Sequence, residues 1–162
     1  MAFQKPEGVA AVYDHWHGLP KNQRPRLYLQ GLSLGALNSD LSHDLHQVIG
    51  DPYDGALWAG PPFNTPTWRN VTAMRNPGSP AWLPRVRDGA VVRFTAQQNH
   101  LEEGHAPWGP YRVVFLQYAS DAVTFFDPLA VWRKPEWMNP PLGPDVSPDL
   151  VWIPVVVRMC PV

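Results

Sequence analysis

Near the start of the chain, apolar Val9, Val12, Tyr13, Trp16 and Leu19 recur at steps of three and four, the spacing of one face of an amphipathic helix over residues 7–19. Gly18 and Pro20 stop it. "RLYLQ" then reads as a short strand. The helical period returns from Ala36 to Ile49, with Leu37, Leu41, Leu45 and Val48 on one face and Gly50-Asp51-Pro52 as its end. "GALWAG" is a second strand, apolar almost throughout, as strands buried on both faces of a parallel sheet are. "AVVRFTA" predicts a third strand with ambiguous alternation, and "YRVVFLQYA", β-branched and aromatic, is the best strand of the chain. "LVWIPVVVRM" is either a strand broken by Pro154 or a strand joined to the start of a helix.

Helices alternating with such strands predict an α/β fold with a mostly parallel sheet and flanking helices. Ligand-handling groups in such sheets gather beyond the carboxyl ends of the strands. Ser33, just after Leu27 to Gln30, and Asp121, four residues after Gln117, both fall at such ends.

At 162 residues the chain is long enough for one domain with a buried core, and a single domain over 1–162 is expected. A net charge of −1 with scattered basic residues argues against nucleic acid or a polybasic membrane patch, and favours a neutral or apolar small molecule. Cys160 is the only cysteine, so neither an intrachain disulfide nor a thiolate zinc site can form, and no cofactor or metal is expected. No apolar run approaches the roughly 20 residues that span a bilayer, and "MAFQKPEGVA" lacks the parts of a secretory signal, so this chain is expected to be soluble. Twenty prolines and eight tryptophans cluster in "GPPFNTPTW", "RNPGSPAWLPR" and "KPEWMNPPLGPDVSP", which read as long, ordered Pro/Trp-rich loops because Pro is excluded from helix and central-strand interiors.

Gly31-Leu32-Ser33-Leu34-Gly35 fits the G-x-S-x-G nucleophile elbow, a serine on a strained strand-to-helix turn whose neighbouring glycines relieve crowding. A serine hydroxyl needs a base and a projecting position to act as a nucleophile. The helix that follows directs its dipole and free amides at that position, so the N–H of Leu34 is the candidate oxyanion donor. The plainer reading is two glycines ending a strand and a serine capping a helix. An acid is needed next, and Asp121 is favoured over Asp127, which precedes Pro128; Asp121 as a simple turn cap is its plainer alternative.

"RPRLYLQGLSLGALNSD", "GALWAGPPF", "RNPGSPAWLPRVRDG", "VVFLQYASDAVTFFDP" and "GPDVSP" together resemble the α/β-hydrolase family whose members carry a membrane-embedded N-terminal region ahead of a catalytic domain. The resemblance runs from about Val12 to Val156. It implies a partial α/β-hydrolase fold, Ser33 as nucleophile, Asp121 as acid, a serine hydrolase of ester or lipid type, and membrane-associated, bacterial relatives. It also calls for a histidine after the acid, whereas the last histidine is His105, sixteen residues before Asp121. Strands expected beside "RLYLQ" have no counterpart before residue 7, so the chain resembles the middle of such a domain, incomplete at both ends.

No other histidine is an obvious substitute. His43 lies on the elbow helix roughly 15 Å from Ser33 at 1.5 Å per residue. Neighbours in Ser42-His43-Asp44 point about 100° apart on a helix. Asp40, His43 and His46 read as a solvated helix face rather than a metal site, and His15 and His17 as a helix exterior. His100 and His105 lie in "QQNHLEEGHAPWG", from which one could approach Ser33 only in reversed chain order; Glu102 and Glu103 beside them are too close in sequence to read as a glycosidase pair. Asn70-Val71-Thr72 is a glycosylation sequon. Trp58, Phe63, Trp68, Trp82 and Trp108 line an acyl pocket or belong to the core. The chain is expected to be a poor esterase alone. The rival readings are a non-catalytic interaction module that self-associates or takes a partner along the bare "RLYLQ" edge, and a carbohydrate- or lipid-binding module built on the tryptophans.

Overall fold

Strands β1 (Tyr28–Leu32), β2 (Gly55–Ala59), β3 (Val92–Thr95) and β4 (Arg112–Leu116) pair in the order β1-β2-β4-β3, every pair parallel. The computed structural model describes residues 7–42 and 49–153. The register sets Leu32 beside Ala59, Ala59 beside Leu116 and Leu116 beside Thr95, so the four carboxyl ends finish level. Helix α1 (Glu7–Gly18) precedes β1, α2 (Leu34–Ser42) follows it, and α3 (Pro66–Ala73) lies between β2 and β3.

The inner strands carry the core. Phe115 of β4 is fully buried, stacked on Phe94 of β3 with ring centroids 5.0 Å apart and tilted 5.5 Å from Trp58 of β2. Trp58 is itself fully buried, and its indole N–H donates to Ser39 Oγ on α2 at 3.0 Å, so the polar end of a core aromatic fixes that helix to the sheet. Leu57 on the same strand is 39% exposed, so β2 is covered less completely than its apolar sequence predicts. In α1 only Tyr13 and Trp16 of the apolar stripe are buried, while Val12 is exposed. Tyr13 O–H donates to the Asp51 carbonyl and Trp16 N–H to that of Pro25, both at 2.7 Å.

Local chemistry moves several element boundaries. β1 starts at Tyr28 rather than Arg26, because Leu27 is clamped to the loop before β2: its N–H donates to Asp54 Oδ2 at 2.7 Å and its carbonyl accepts from Asp54 N–H at 2.9 Å. The second predicted helix forms over Leu34–Ser42; residues 43–48, with His43, Leu45, His46 and Val48, lie outside the described residues. The segment "NTPTW" is not all loop. Pro66 occupies the first turn of α3, where its missing N–H costs nothing, and the helix runs to Ala73. The sequon Asn70-Val71-Thr72 lies within that helix. Residues 150–153 are irregular rather than a strand, and the rest of that predicted element lies outside the described residues.

Asp40 is not on a solvated face. It is only 4% exposed, and its Oδ2 accepts the N–H of Thr67 at 2.9 Å, capping the start of α3 in place of Thr65, whose side chain makes no cap.

Beyond β3 the chain folds around Arg93, a buried cation whose neighbours are carbonyls. Its Nε donates to the Gly89 carbonyl at 2.8 Å and its two terminal nitrogens to those of Leu101 and Ala106, while the guanidinium lies 4.0 Å from the Trp108 ring centre. Gly104 packs flat on this group, and a Cβ there would stand 2.4 Å from the guanidinium carbon. Gly104→Ala is therefore expected to lower thermal stability by about 1–3 kcal/mol, the usual cost of overpacking, as read by thermal unfolding. Arg93→Met, which strands three carbonyls, is expected to cost at least as much.

Two carboxylates set an acid limit on the fold. A hydrogen bond from Arg24 holds Asp51 below its ordinary range, and one from His100 does the same for Glu103. A carboxyl lowered on folding stabilises fully above its unfolded value, near 4, and loses that contribution as pH falls through the folded value. Stability is expected to decline on acidification below about pH 4, with a shallower decline in Asp51→Asn.

Candidate active site

The turn between β1 and α2 depends on a close approach. A Cβ on Gly31 would lie 2.4 Å from the carbonyl carbon and oxygen of Gly35 and 2.5 Å from the nitrogen of Ala36, so only a hydrogen fits where helix meets strand. Gly35 contributes backbone rather than freedom, since a Cβ there would meet nothing within 4 Å. Both glycines were expected to relieve crowding; Gly31 does so, and Gly35 is what it must clear. Ser33 takes φ 53°, left-handed for a non-glycine residue and a strain of about 1–3 kcal/mol. Its N–H donates to the Ala59 carbonyl at 2.8 Å, extending the β1–β2 ladder by one step. Its carbonyl accepts from Ala36 and Leu37 at 2.9 and 3.2 Å, which closes the first turn of α2. Among the described residues the N–H groups of Leu34 and Gly35 have no backbone acceptor, as the first helical turn requires, and they sit at the positive end of the helix. Ser33 is exposed, and its neighbours Leu32 and Leu34 are 73% and 66% exposed, so the turn opens outward.

Asp121 stands beyond the end of β4. Gln117 first anchors the chain there, its side chain donating to the Trp82 carbonyl at 2.8 Å and accepting the Trp68 indole N–H at 2.7 Å. The following turn is closed by Asp121 N–H to the Tyr118 carbonyl at 3.0 Å. One carboxylate oxygen accepts from the N–H groups of Val123 and Thr124 at 2.8 and 3.2 Å, and the other from Thr124 Oγ1 at 3.0 Å. Asp121 is thus a turn cap, as the plainer reading has it, and is also held in one orientation. It rests against Gly60, at φ 51°, where a Cβ would stand 3.2 Å from Asp121 Oδ2.

Ser33 and Asp121 therefore flank the end of one strand: Ser33 is tied to Ala59 and Asp121 leans on Gly60. Their parent strands β1 and β4 lie on either side of β2, roughly 10 Å apart at two strand spacings. The gap between them lies over the carboxyl end of β2. Asp127 is occupied elsewhere, capping a short turn through Leu129 N–H at 2.8 Å and lying 3.8 Å from Arg133.

No imidazole fills the gap among the described residues. His100 lies in the loop after β3, the strand three places from β1 at the far side of the sheet, and its Nδ1 lies 2.7 Å from Glu103. The N–H of His105 donates to the Asp88 carbonyl at 3.1 Å in the same loop region. Glu103 also pairs with Arg85 at 2.7 Å. On α1, His15 is exposed and His17 pairs with Asp51 at 2.8 Å. Among the described residues no group of three metal-ligating side chains forms, and no helix is long and apolar enough to cross a membrane.

The five aromatics offered as pocket or core are not the lining of the large cavity beside Asp121. Trp58 is core, Trp68 binds Gln117, Trp108 covers Arg93, Trp82 lies edge-on to His100, and Phe63 packs on Phe126 at 5.1 Å. That cavity, about 520 Å³, is walled by Phe125, Phe126, Val131, Trp137 and Leu150 together with Asp121. Sequence reasoning also missed Asp145, which binds Ser120 through Oδ2, accepting its N–H at 3.0 Å and its hydroxyl at 2.6 Å. Burial works against ionisation of Asp145, but the hydrogen bonds it accepts, those from Ser120 foremost, together outweigh it and leave its carboxyl below the usual range. The short spacing of "GPDVSP" gives no sign that this aspartate reaches back to the Asp121 turn.

A family model described as the alpha/beta-hydrolase family matches residues 6–160. No curated protein and no solved structure matches the chain. The parallel sheet, the helices beside it and that match over nearly the whole chain agree, and the chain belongs to the alpha/beta-hydrolase family.

Proposed function

We propose that the chain supplies the nucleophile, one oxyanion donor and the acid of a serine hydrolase acting on esters or lipids. The observation that carries this reading is the Ser33 turn. A left-handed serine, tied by its N–H to Ala59, opens outward with the free Leu34 N–H beside it at a helix start. Ser33 Oγ attacks the ester carbonyl, the hydroxyl proton passes to a base, and the oxyanion forms against Leu34 N–H. Asp121, oriented by Val123 and Thr124, faces the other side of the gap and balances the charge that the base acquires. The base is an imidazole supplied from outside the described residues.

A base that the described residues do not supply makes chemical rescue the decisive experiment, because a positioned general base is worth about 10²–10⁴-fold. Turnover of p-nitrophenyl acetate is expected to be slow and to rise about tenfold or more over the solution background when free imidazole is added. Ser33→Ala should abolish the protein-dependent part and Asp121→Asn should reduce it. Equal rescue in wild type and Ser33→Ala would overturn the proposal. Gly31→Ala is expected to lose rescue and stability together, because its methyl group collides with Gly35 and Ala36, whereas Gly35→Ala keeps both.

A second reading rests on the edge of the sheet. Among the described residues β1 has no neighbour on its outer side, and Tyr28 and Leu32 on it are 51% and 73% exposed. An uncharged open edge of this kind is a template for strand addition. If it drives self-association, sedimentation will show concentration-dependent dimers that Tyr28→Lys/Leu32→Lys disperses.

A further inference from the structure

The cavity beside Asp121 has a chemistry of its own. Its walls are mainly hydrocarbon, from Phe125, Phe126, Val131 and Leu150, and they include Trp137, whose buried indole N–H has no acceptor among the described residues. Asp121, Asp127 and Asp145 are the charged groups of the lining, with no Lys, Arg or His among the lining residues. The cation nearest to any of these carboxylates is Arg133, exposed and 3.8 Å from Asp127. A carboxylate or phosphate head would therefore meet like charge, and a hydroxylated neutral head would meet acceptors.

Size narrows the ligand further. At roughly 30 Å³ for each water-sized group, the cavity of about 520 Å³ holds on the order of 15 heavy atoms. That suits a chain of about ten to twelve carbons with its ester group, within the usual volume of small-molecule sites. Ser120 and Asp121 form part of the wall, which sets this cavity at the carboxyl ends of the strands, the same end of the sheet as Ser33.

We propose that this cavity binds the hydrocarbon chain of a neutral-headed, medium-chain ester of the monoacylglycerol type and selects against lipids with anionic heads. The assignment deepens the hydrolase reading and rests on it for the reaction, though not for binding.

Calorimetric titration of the full chain with 1-dodecanoylglycerol, dodecyl phosphate and dodecanoate at pH 7, each below its micellar concentration, tests it. The glycerol ester is expected to bind saturably and about tenfold or more tighter than either anion, a difference of about 1.4 kcal/mol. Asp127→Asn should narrow that ratio. Val146→Trp, which fills the cavity, should weaken binding about tenfold; Val131→Trp serves where circular dichroism shows that Val146→Trp fails to fold. Ser33→Ala should bind as wild type does. Equal or tighter binding of dodecyl phosphate, no saturable binding of the glycerol ester, or wild-type affinity in a folded cavity-filled variant would each overturn the assignment. Binding as expected without imidazole rescue would sink the hydrolase reading and leave the cavity assignment standing; rescue without binding does the reverse.

Discussion

The hydrogen at Gly31 is the constraint on which the candidate site depends. A methyl group there would stand 2.4 Å from the backbone of Gly35, and backbone cannot swing aside as a side chain can. Because nothing larger is present, α2 begins directly off the end of β1, and the single intervening residue is driven into the left-handed region. Strain of that kind persists only where the surroundings over-determine it. Here they do, through Ala59, which takes the Ser33 N–H, and through Ala36 and Leu37, which take its carbonyl. Trp58 then secures α2 to the sheet through Ser39. The same short connection that strains the serine also points the free amides of the helix start toward it.

The parts of the fold legible in the sequence are those written in local periodicity. Alternating helical and strand-like runs were enough to place Ser33 and Asp121 at strand ends, because a parallel sheet puts every carboxyl end on one side. What periodicity does not encode is the partner of a side chain. Asp40 looked solvated because its own helix supplies no reason to bury it; the reason is the N-terminus of α3, which packs against it. α3 itself was hidden by counting Pro66 as a breaker, when the first helical turn is where proline does no harm. The tryptophans were ambiguous for the same cause. Composition says that they are large and amphipathic, and only the positions of Ser39, Gln117 and Arg93 decide that Trp58, Trp68 and Trp108 are structural.

The acid's side of the gap is held in a different manner from the serine's. Ser33 is fixed by backbone geometry over a few residues. Asp121 itself is oriented by its neighbours Val123 and Thr124, but the loop that carries it is anchored by side-chain contacts to distant segments: Gln117 grips Trp68 and Trp82, and Asp145 holds Ser120. Such long-range polar contacts are invisible to motif reading, which is why "GLSLG" announced itself and the Asp145–Ser120 clasp did not. They also make the acid's loop the wall of a cavity, since the segment from Phe125 to Leu150 that closes around it is largely apolar and turns back on the same loop.

In the proposed hydrolase, proton transfer and rigidity thus fall to different parts. The groups that the proposed reaction needs still, a strained serine, a helix-start amide and a carboxylate that accepts three hydrogen bonds, are held in place at the carboxyl ends of β1 and β4. The group that must carry a proton is the one the described residues do not provide, and a gap of about two strand spacings separates the fixed parts. A rigid site whose base comes from outside the described residues differs from a loosely built site. In the first case a small mobile base can act where it lands, because orientation of the remaining groups is already settled; in the second it cannot. The strain at Ser33 fits the first case, since it persists only while the contacts that impose it, at Gly31, Ala59 and Ala36, hold the turn in place.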